Sequence, residues 1–341
     1  MDLLKNVPLA PLTTLKVGGP ARLFARVEQE GDVANAFDYA ARNDLPVFVL
    51  GGGSNILVSD RGFEGIVIQI AHKGIDVGDD IVTAQAGEDW DAFVGFCVDR
   101  DLAGIECLSG IPGFVGGTPV QNVGAYGQEV SETIVKVRCF DRDHADIVEL
   151  DNAACEFTYR KSIFNSTHRD RYVVLAVKYK LRKNGEPKIS YKDLTERFRN
   201  RTPSLSETRE TVLKIRRAKS MVIDPDDPNS QSAGSFFKNP IVEQEIFDKL
   251  TNSTEGHTVP HFPADEGKVK IPAAWLIEQS GFQKGHRLGN AGISTNHSLA
   301  IVNCGNASAA EIIALKEQIQ NGVEKKFDIL LQPEPIFVGF D

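Results

Sequence analysis

No C-x-x-C pair, H-E-x-x-H or H-x-H motif occurs in the 341 residues. The ligand spacings of structural zinc, iron–sulfur and zinc-hydrolase sites are therefore missing, and no metal is expected. The five cysteines (Cys97, Cys107, Cys139, Cys155 and Cys304) form an odd set. Without paired spacings they read as small buried hydrophobes rather than a disulfide framework. No window approaches the roughly 20 apolar residues of a membrane span, and "MDLLKNVPLAPLTTLK" has neither a basic start nor a continuous apolar run. No membrane insertion is expected, and a cytoplasmic location is. Positive charge is scarce too: 38 Lys and Arg against 47 Asp and Glu give a net charge of −9. That balance argues against a nucleic-acid partner, because neutralising phosphates needs a broad cationic face. Internal repeats and low-complexity tracts are absent.

With 41% hydrophobic and 25% charged residues, the chain has the composition of a soluble globular protein of two or three domains. Basic residues concentrate in "ETRETVLKIRRAKS" at 207–220, which holds Arg209, Lys214, Arg216, Arg217 and Lys219. Such a run is either a solvated helical face or a local contact for a small phosphorylated ligand. The spacing of Val33, Ala36, Phe37 and Ala40 predicts a helix with Asp32 as N-cap. It is followed by a buried strand, "VFVL" at 47–50. Further strands are expected at 56–58, 65–70, 81–86, 134–140, 146–150 and 172–181. Helices are expected through Trp90, Phe93, Val94 and Val98 and at 206–219. The acidic, proline-broken "IDPDDPNS" at 223–230 marks a boundary. Beyond it helices are expected in "VEQEIFDKL" and in "PAAWLIEQSG", with Pro272 in the first turn and Gly281 as its stop. Another opens on the capping box Ser308-x-x-Glu311, with Ile312, Leu315, Ile319 and Val323 at helical spacing. "DILL" and "IFVGF" around "QPEP" read as closing strands.

Two glycine-rich stretches stand out. In "LGGGSNILVSD", residues 50–60, three glycines follow a strand, so exposed N–H groups can form an anion-binding concavity, with Ser54 and Asn55 as added donors. The stretch is neither a P-loop nor a Rossmann fingerprint, and taken alone a plain tight turn serves equally well. "GIECLSGIPGFVGGTPVQNVGAYG", residues 104–127, has seven glycines in 24 residues, too many for the interior of a regular element. Two such loops separated by β-rich sequence suit an extended dinucleotide such as a flavin. In "QSAGSFFKNP" at 231–240, Ser235 sits between Gly234 and two phenylalanines. On the residues alone it is a turn serine bonding nearby backbone.

"VLGGGSN" together with "SGIPGFVGGTPVQNVGAYG" resembles the FAD-binding half of the UDP-N-acetylenolpyruvoylglucosamine reductase (MurB) family, within the vanillyl-alcohol-oxidase type of flavoprotein. The resemblance runs from about Leu15 to the carboxyl end. It continues through "YRKSIF" (159–164), "IRRAK" (215–219), "GSFFKNP" (234–240), "AAWLIEQSGF" (273–282), "STNHSLAIVN" (294–303) and "LQPEP" (331–335). It implies an α+β fold, with a two-subdomain FAD-binding module of the vanillyl-alcohol-oxidase (PCMH) type and a C-terminal α/β substrate-binding domain. The expected divisions are 1–70, 71–219 and 220–341, with the last strands returning to the FAD-binding part.

The resemblance also implies noncovalent FAD, NADPH as hydride donor, and a UDP-sugar substrate whose enolpyruvyl ether is reduced to UDP-N-acetylmuramate for peptidoglycan in the bacterial cytoplasm. The protein is expected to act as a monomer. Hydride from flavin N5 would leave negative charge beside the substrate carboxylate, which calls for a fixed cation, a hydrogen-bonding partner and a proton source. Arg160, Glu334 and Ser235 match the family's residues for these roles, with Ser235 the proton donor. The Glu334 pKa is expected to rise beside the substrate carboxylate. Cofactor contacts fall on Gly51, Gly52, Gly53, Ser54, Asn55, Gly110, Ile111, Pro112, Gly113, Gly116, Gln121, Asn122, Gly124, Ala125 and Arg216. Substrate contacts fall on Tyr126, Lys219, Asn239, Lys270 and His297, and on Tyr191 in the loop "ISYKDLTERF", which marks type I members. Phe262 stands where some members have a tyrosine. Two alternatives remain at this point: an oxidase or dehydrogenase of the same scaffold acting on another sugar or alcohol, and a non-catalytic nucleotide-binding module. Neither requires Arg160, Ser235 and Glu334 together.

Overall fold

The helix expected after Asp32 forms as α1 (Glu30–Arg42), and its i, i+3, i+7 residues Val33, Ala36 and Ala40 are buried. Its start differs from expectation. Gln29 holds the cap position without a side-chain bond, and Asp32 lies inside the first turn, where a carboxylate favours the helix dipole without capping it. The computed structural model describes residues 1–199, 201–253, 258–264 and 267–340. They divide into two units: Met1–Pro8, Pro20–Gly53 and Phe63–Val222 form the first, and Leu9–Gly19, Ser54–Gly62 and Ile223–Asp341 the second. Residues 9–19 and 54–62 thus belong with the C-terminal half, although they lie within the segment 1–70.

The first unit holds two sheets. One has the order Leu3–Pro8, Pro20–Val27, Phe63–Ile70, Val47–Leu50, antiparallel at the first pairing and parallel at the other two. The alternation of a strand, α1 and a parallel strand explains that mixture, because parallel neighbours need a crossover. The second sheet is antiparallel throughout, in the order Asp146–Asp151, Ile134–Asp141, Tyr172–Lys180, Ile81–Gln85, Ile75–Val77. Helix α2 (Trp90–Val98) buries Trp90, Phe93, Val94 and Cys97. Trp90 and Phe93 pack around Tyr179 with ring centroids 5.2–6.0 Å apart. Side chains of this size contribute about 1.5–3 kcal/mol each when fully buried. Short α3 (Lys192–Arg197) and α4 (Leu205–Ala218) complete the unit. A capping box between Ser204 and Glu207 opens α4.

In the second unit α5 (Gln244–Ser253), α6 (Ala273–Gln279) and α7 (Ala309–Phe327) accompany small sheets. The Ser308–Glu311 capping box forms, and Ile312, Leu315, Ile319 and Val323 are buried as their spacing predicts. Strand Ile336–Val338 pairs in parallel with Ile56–Val58. "DILL" is not a strand. Asp328 ends α7 in the left-handed region (φ 55), and the segment beyond it makes one bridge, Phe237 to Pro333. No helix among the described residues is long and apolar enough to cross a membrane.

Candidate active site

In the first unit the two glycine stretches meet backbone to backbone. A Cβ on Gly52 would lie 2.6 Å from Gly113 Cα, whereas one on Gly51 or Gly117 would meet nothing within 4 Å. The second loop is anchored from behind by the start of α2. Trp90 N donates to Gly113 O at 3.0 Å, Trp90 Nε1 to Leu108 O at 3.0 Å, and Val115 N to Glu88 O at 2.9 Å. Gly110 adopts φ +71 and is overhung by Leu213 and Arg216 of α4. Arg216 is 7% exposed, its terminal nitrogen donates to Met221 O, and its Nε has no partner. Burial pulls its pKa down, opposed by Tyr126 and Asp91. A buried guanidinium with a spare donor, beside a glycine loop with open space over it, has the chemistry of an anion-binding site. These features fit the pyrophosphate of FAD.

Other residues expected to contact cofactor or substrate also bond or pack against the protein itself. Asn122 donates to Glu129 Oε2 (2.7 Å) and Thr158 O (3.1 Å) and accepts from Ser131 N (3.2 Å). Ala125 pairs with Gln128 in a two-residue ladder. Ile111, Pro112, Gly116 and Gln121 are half-buried along the loop. Arg160 lies in a tight turn closed by Thr158 and Lys161, with φ 57; its Nη1 donates to Gly124 O at 2.9 Å, and Asn165 holds its carbonyl at 3.1 Å. Tyr126 and Tyr191 pack edge to face, with centroids 5.3 Å apart. Burial raises the pKa of both. Tyr191 holds the cap position of α3 without a side-chain bond, and the first turn carries Asp193, the 3.6 Å ion-pair partner of Lys219. The structure thus brings Tyr126, Tyr191, Arg216 and Lys219 into one neighbourhood.

In the second unit, backbone pairing joins the segments around Ser235 and Glu334. Glu334 N donates to Phe236 O and Lys238 N to Gln332 O, each at 2.9 Å. Asn55 is tied to the same place, its Nδ2 donating to Glu334 O at 3.2 Å and its carbonyl accepting from Ile336 N at 3.0 Å. Ser235 and Glu334 are both half-buried, and Phe236 between them is fully buried. Ser54 O faces Thr14 Oγ1 at 3.4 Å. Asn239 accepts from Ala273 N at 2.9 Å and so caps α6, where Pro272 offers no side-chain cap. Lys270 lies on a strand between Ile241 and Phe262. His297 is half-buried, and its carbonyl closes a turn to Ala300 N. The first glycine stretch is divided, since Gly53 ends a run of the first unit and Ser54 begins one of the second.

Two groups escaped sequence reasoning. Asp91 Oδ1 accepts from Gly110 N at 2.6 Å, and Arg209 grips both carboxylate oxygens at 2.5 and 2.9 Å. Burial pushes the Asp91 carboxyl up, but the Arg209 bond and the Gly110 N–H together hold it below its ordinary value. Glu106 is fully buried and accepts from Gly104 N, Lys188 N and Gln128 Nε2, tying the second glycine stretch to the chain that leads into Tyr191. The only available signal was an acidic residue inside a glycine-rich run. Among the described residues no cluster of three or more His, Cys, Asp or Glu could hold a metal.

Residues 21–151 match the family model described as an FAD binding domain, and residues 226–338 match that of UDP-N-acetylenolpyruvoylglucosamine reductase, C-terminal domain. Proteins named UDP-N-acetylenolpyruvoylglucosamine reductase from Thermobifida fusca and Streptomyces coelicolor are 44% and 42% identical to this chain. Each alignment covers 98% of it, and 98% and 90% of the respective relative. The crystal structure of the Thermus caldophilus reductase superposes with a TM-score of 0.69 at 26% identity, over 99% of this chain and 98% of that one. With both family models in sequence order and near-complete coverage of its relatives, the chain belongs to the UDP-N-acetylenolpyruvoylglucosamine reductase family.

Proposed function

We propose that the protein reduces the enolpyruvyl ether of UDP-N-acetyl-3-O-(1-carboxyvinyl)glucosamine to UDP-N-acetylmuramate, using noncovalently bound FAD and taking reducing equivalents from NADPH, in the cytoplasmic stage of bacterial peptidoglycan synthesis. The observation that carries this reading is the backbone pairing that sets Glu334 across from Phe236, the neighbour of Ser235. Two chemically complementary residues far apart in sequence are thereby held on adjoining strands of chain. The two sheets of the first unit stand for the two FAD-binding subdomains, and the second unit for the substrate domain.

When bound, FAD supplies the hydride that adds to the terminal carbon of the enol ether. Charge then develops on the neighbouring carbon and its carboxylate. Arg160, oriented by Gly124 O and the 158–161 turn, is the fixed cation for that carboxylate. Glu334 donates a hydrogen bond or a proton to it. Ser235 Oγ gives its proton to the carbon; the resulting carbon–hydrogen bond is far less acidic than a hydroxyl, so the transfer runs downhill. By the family pattern Tyr191 folds over the bound nucleotide, Tyr126 contacts the substrate and Lys219 serves the substrate and the nicotinamide, while Asn239, Lys270 and His297 of the second unit take the UDP-sugar. The chain is expected to act as a monomer.

An anaerobic titration followed by flavin absorbance tests the reading. NADPH should bleach the flavin, and the enolpyruvyl sugar should restore its colour rapidly. Bleaching without recovery would replace this substrate with another acceptor, and rapid reoxidation once air is admitted would point to an oxidase. In Ser235→Ala the bleaching step should persist while recovery slows by about 10²–10⁴-fold, the usual contribution of a positioned proton donor. Normal recovery would remove Ser235 from the mechanism.

A further inference from the structure

We propose that the Asp91–Arg209 ion pair is a positioning device for the cofactor loop: Asp91 fixes the Gly110 turn by its backbone N–H, and Arg209 cancels the carboxylate charge that this anchoring would otherwise present to an anionic ligand. The inference rests on the reading that FAD lies at the glycine loops of the first unit.

The geometry imposes both halves of this arrangement. Gly110 N–H is committed to Asp91 Oδ1 at 2.6 Å, so it does not serve as a donor to a phosphate; its role in the loop is conformational. The turn has no slack on its other side, where a Cβ at Gly110 would stand 2.8 Å from Leu213 Cδ2 and 3.3 Å from Arg216 Nε. Asp91 therefore sets the distance between the loop and α4, and with it the position of the Arg216 donor. A bare carboxylate in this place would repel a pyrophosphate across a partly desolvated gap, where charge interactions are weakly screened. Arg209 removes that repulsion with a two-point grip, at 2.5 and 2.9 Å. It reaches Asp91 by lying over Gly95 of α2, where an added Cβ would touch Arg209 Nη2 at an ordinary contact distance of 3.4 Å. Asp91, Arg209, Gly110 and Arg216 thus form one chain of contacts from α2 through the loop to α4.

The charge logic predicts an asymmetric pattern. Arg209→Gln leaves the anion uncompensated and should weaken FAD binding most, on the order of tenfold, the scale at which supporting residues act on a bound group. Asp91→Asn keeps an acceptor for Gly110 N–H and should lose less. The double variant Asp91→Asn/Arg209→Gln removes both charges and should bind FAD within about threefold of the parent. The experiment measures FAD dissociation constants by flavin fluorescence on apoprotein, each variant checked by circular dichroism and assayed well below its melting temperature. Under those conditions a purely structural contribution lowers the melting temperature without moving the dissociation constant. If Arg209→Gln fails to fold, the comparison of Asp91→Asn with the double variant decides. Recovery of affinity in the double variant, or parity between it and Asp91→Asn, supports the proposal. Additive losses, a double variant weaker than Asp91→Asn, or parent-like affinity in Arg209→Gln overturn it. Failure of the parent itself to bind FAD would instead sink the cofactor assignment on which the proposal rests.

Discussion

Gly51 and Gly52 are neighbours in the first glycine loop, yet the same substitution at each should have opposite consequences. An alanine Cβ at position 52 falls 2.6 Å from Gly113 Cα, 2.9 Å from Gly113 C and 3.0 Å from Phe114 N. All three are backbone atoms, so no side-chain rotation relieves the overlap. Gly113 is also held by the bond from Trp90 N to its carbonyl. Reaching an ordinary carbon–carbon separation of about 3.5–4 Å requires the two loops to part by about 1 Å. Overpacking of this kind costs about 1–3 kcal/mol. At about 2–4 °C per kcal/mol for a domain of this size, a central cost of ~2 kcal/mol lowers the melting temperature of the apoprotein by about 4–8 °C.

At position 51 an added Cβ meets nothing within 4 Å. Gly51→Ala should leave apoprotein stability unchanged or raise it slightly, since alanine narrows the unfolded ensemble by roughly 0.4–1 kcal/mol. That empty volume is the space proposed for the cofactor, so the methyl group should weaken FAD binding instead. Two measurements separate the cases: calorimetric melting of each apoprotein, and the FAD dissociation constant by fluorescence. Equal melting temperatures for the two variants would refute the close approach of the loops. Parent-like FAD affinity in Gly51→Ala would refute the cradle.

Asp60 accepts from Ala309 N at 2.7 Å and Ala310 N at 3.0 Å at the start of α7, so Asp60→Ala should cost about 1–2 kcal/mol in urea unfolding, and an unchanged midpoint would dismiss the cap. Asp141 is held well below its ordinary pKa, chiefly by the Arg171 fork and also by His144, against a desolvation cost; a depressed folded value means its contribution is complete above the unfolded pKa of about 4 and is lost as pH falls through the folded one. Asp141→Asn should therefore flatten the acid limb of the stability curve, whereas an unaltered acid slope would contradict the linkage. Burial pushes the Cys97 and Cys155 thiols up to about 12 and raises Cys107 and Cys139 as well, while Cys304 is only half-buried. A thiol reagent at about pH 8 should accordingly titrate Cys304 in the native protein and all five cysteines after unfolding; rapid native labelling of the other four would show that burial does not protect them.

The elements most legible in the sequence carry their own local signals. α7 and its capping box needed only Ser308, Glu311 and an apolar stripe, all within one segment. The start of α1 was misread because an acidic residue suits both the cap and the first turn. "DILL" shows a subtler failure: Ile329 and Leu331 are buried and Leu330 is 49% exposed, which is the alternation of a strand. Alternation reports which side chains are covered, whereas a strand also needs a partner backbone, and here the partner segment offers one bridge. The pairing of Asp91 with Arg209 was illegible for a related reason, since a bond across 118 residues leaves no pattern in either neighbourhood.

The first glycine loop shows what a motif hides. "GGGSN" announces a single feature, but its residues answer different physical demands. Gly51 leaves open space, Gly52 permits two backbones to touch, Gly53 takes a left-handed turn at φ +64, and Asn55 fastens the chain to Glu334 and Ile336. Of these only Gly51 borders the open space proposed for a cofactor, while the bonds and contacts at the others also shape the loop. A loop matched by resemblance therefore proposes where a cofactor belongs, while the division between residues with open space beside them and residues that shape the loop comes from three dimensions. Gly110, expected among the cofactor contacts, makes the same point in the second stretch, because its N–H is bound to the Asp91 carboxylate. The substitutions at Gly51, Gly52 and Asp91 measure that division directly, since affinity and stability move separately only if the two classes of residue are physically distinct.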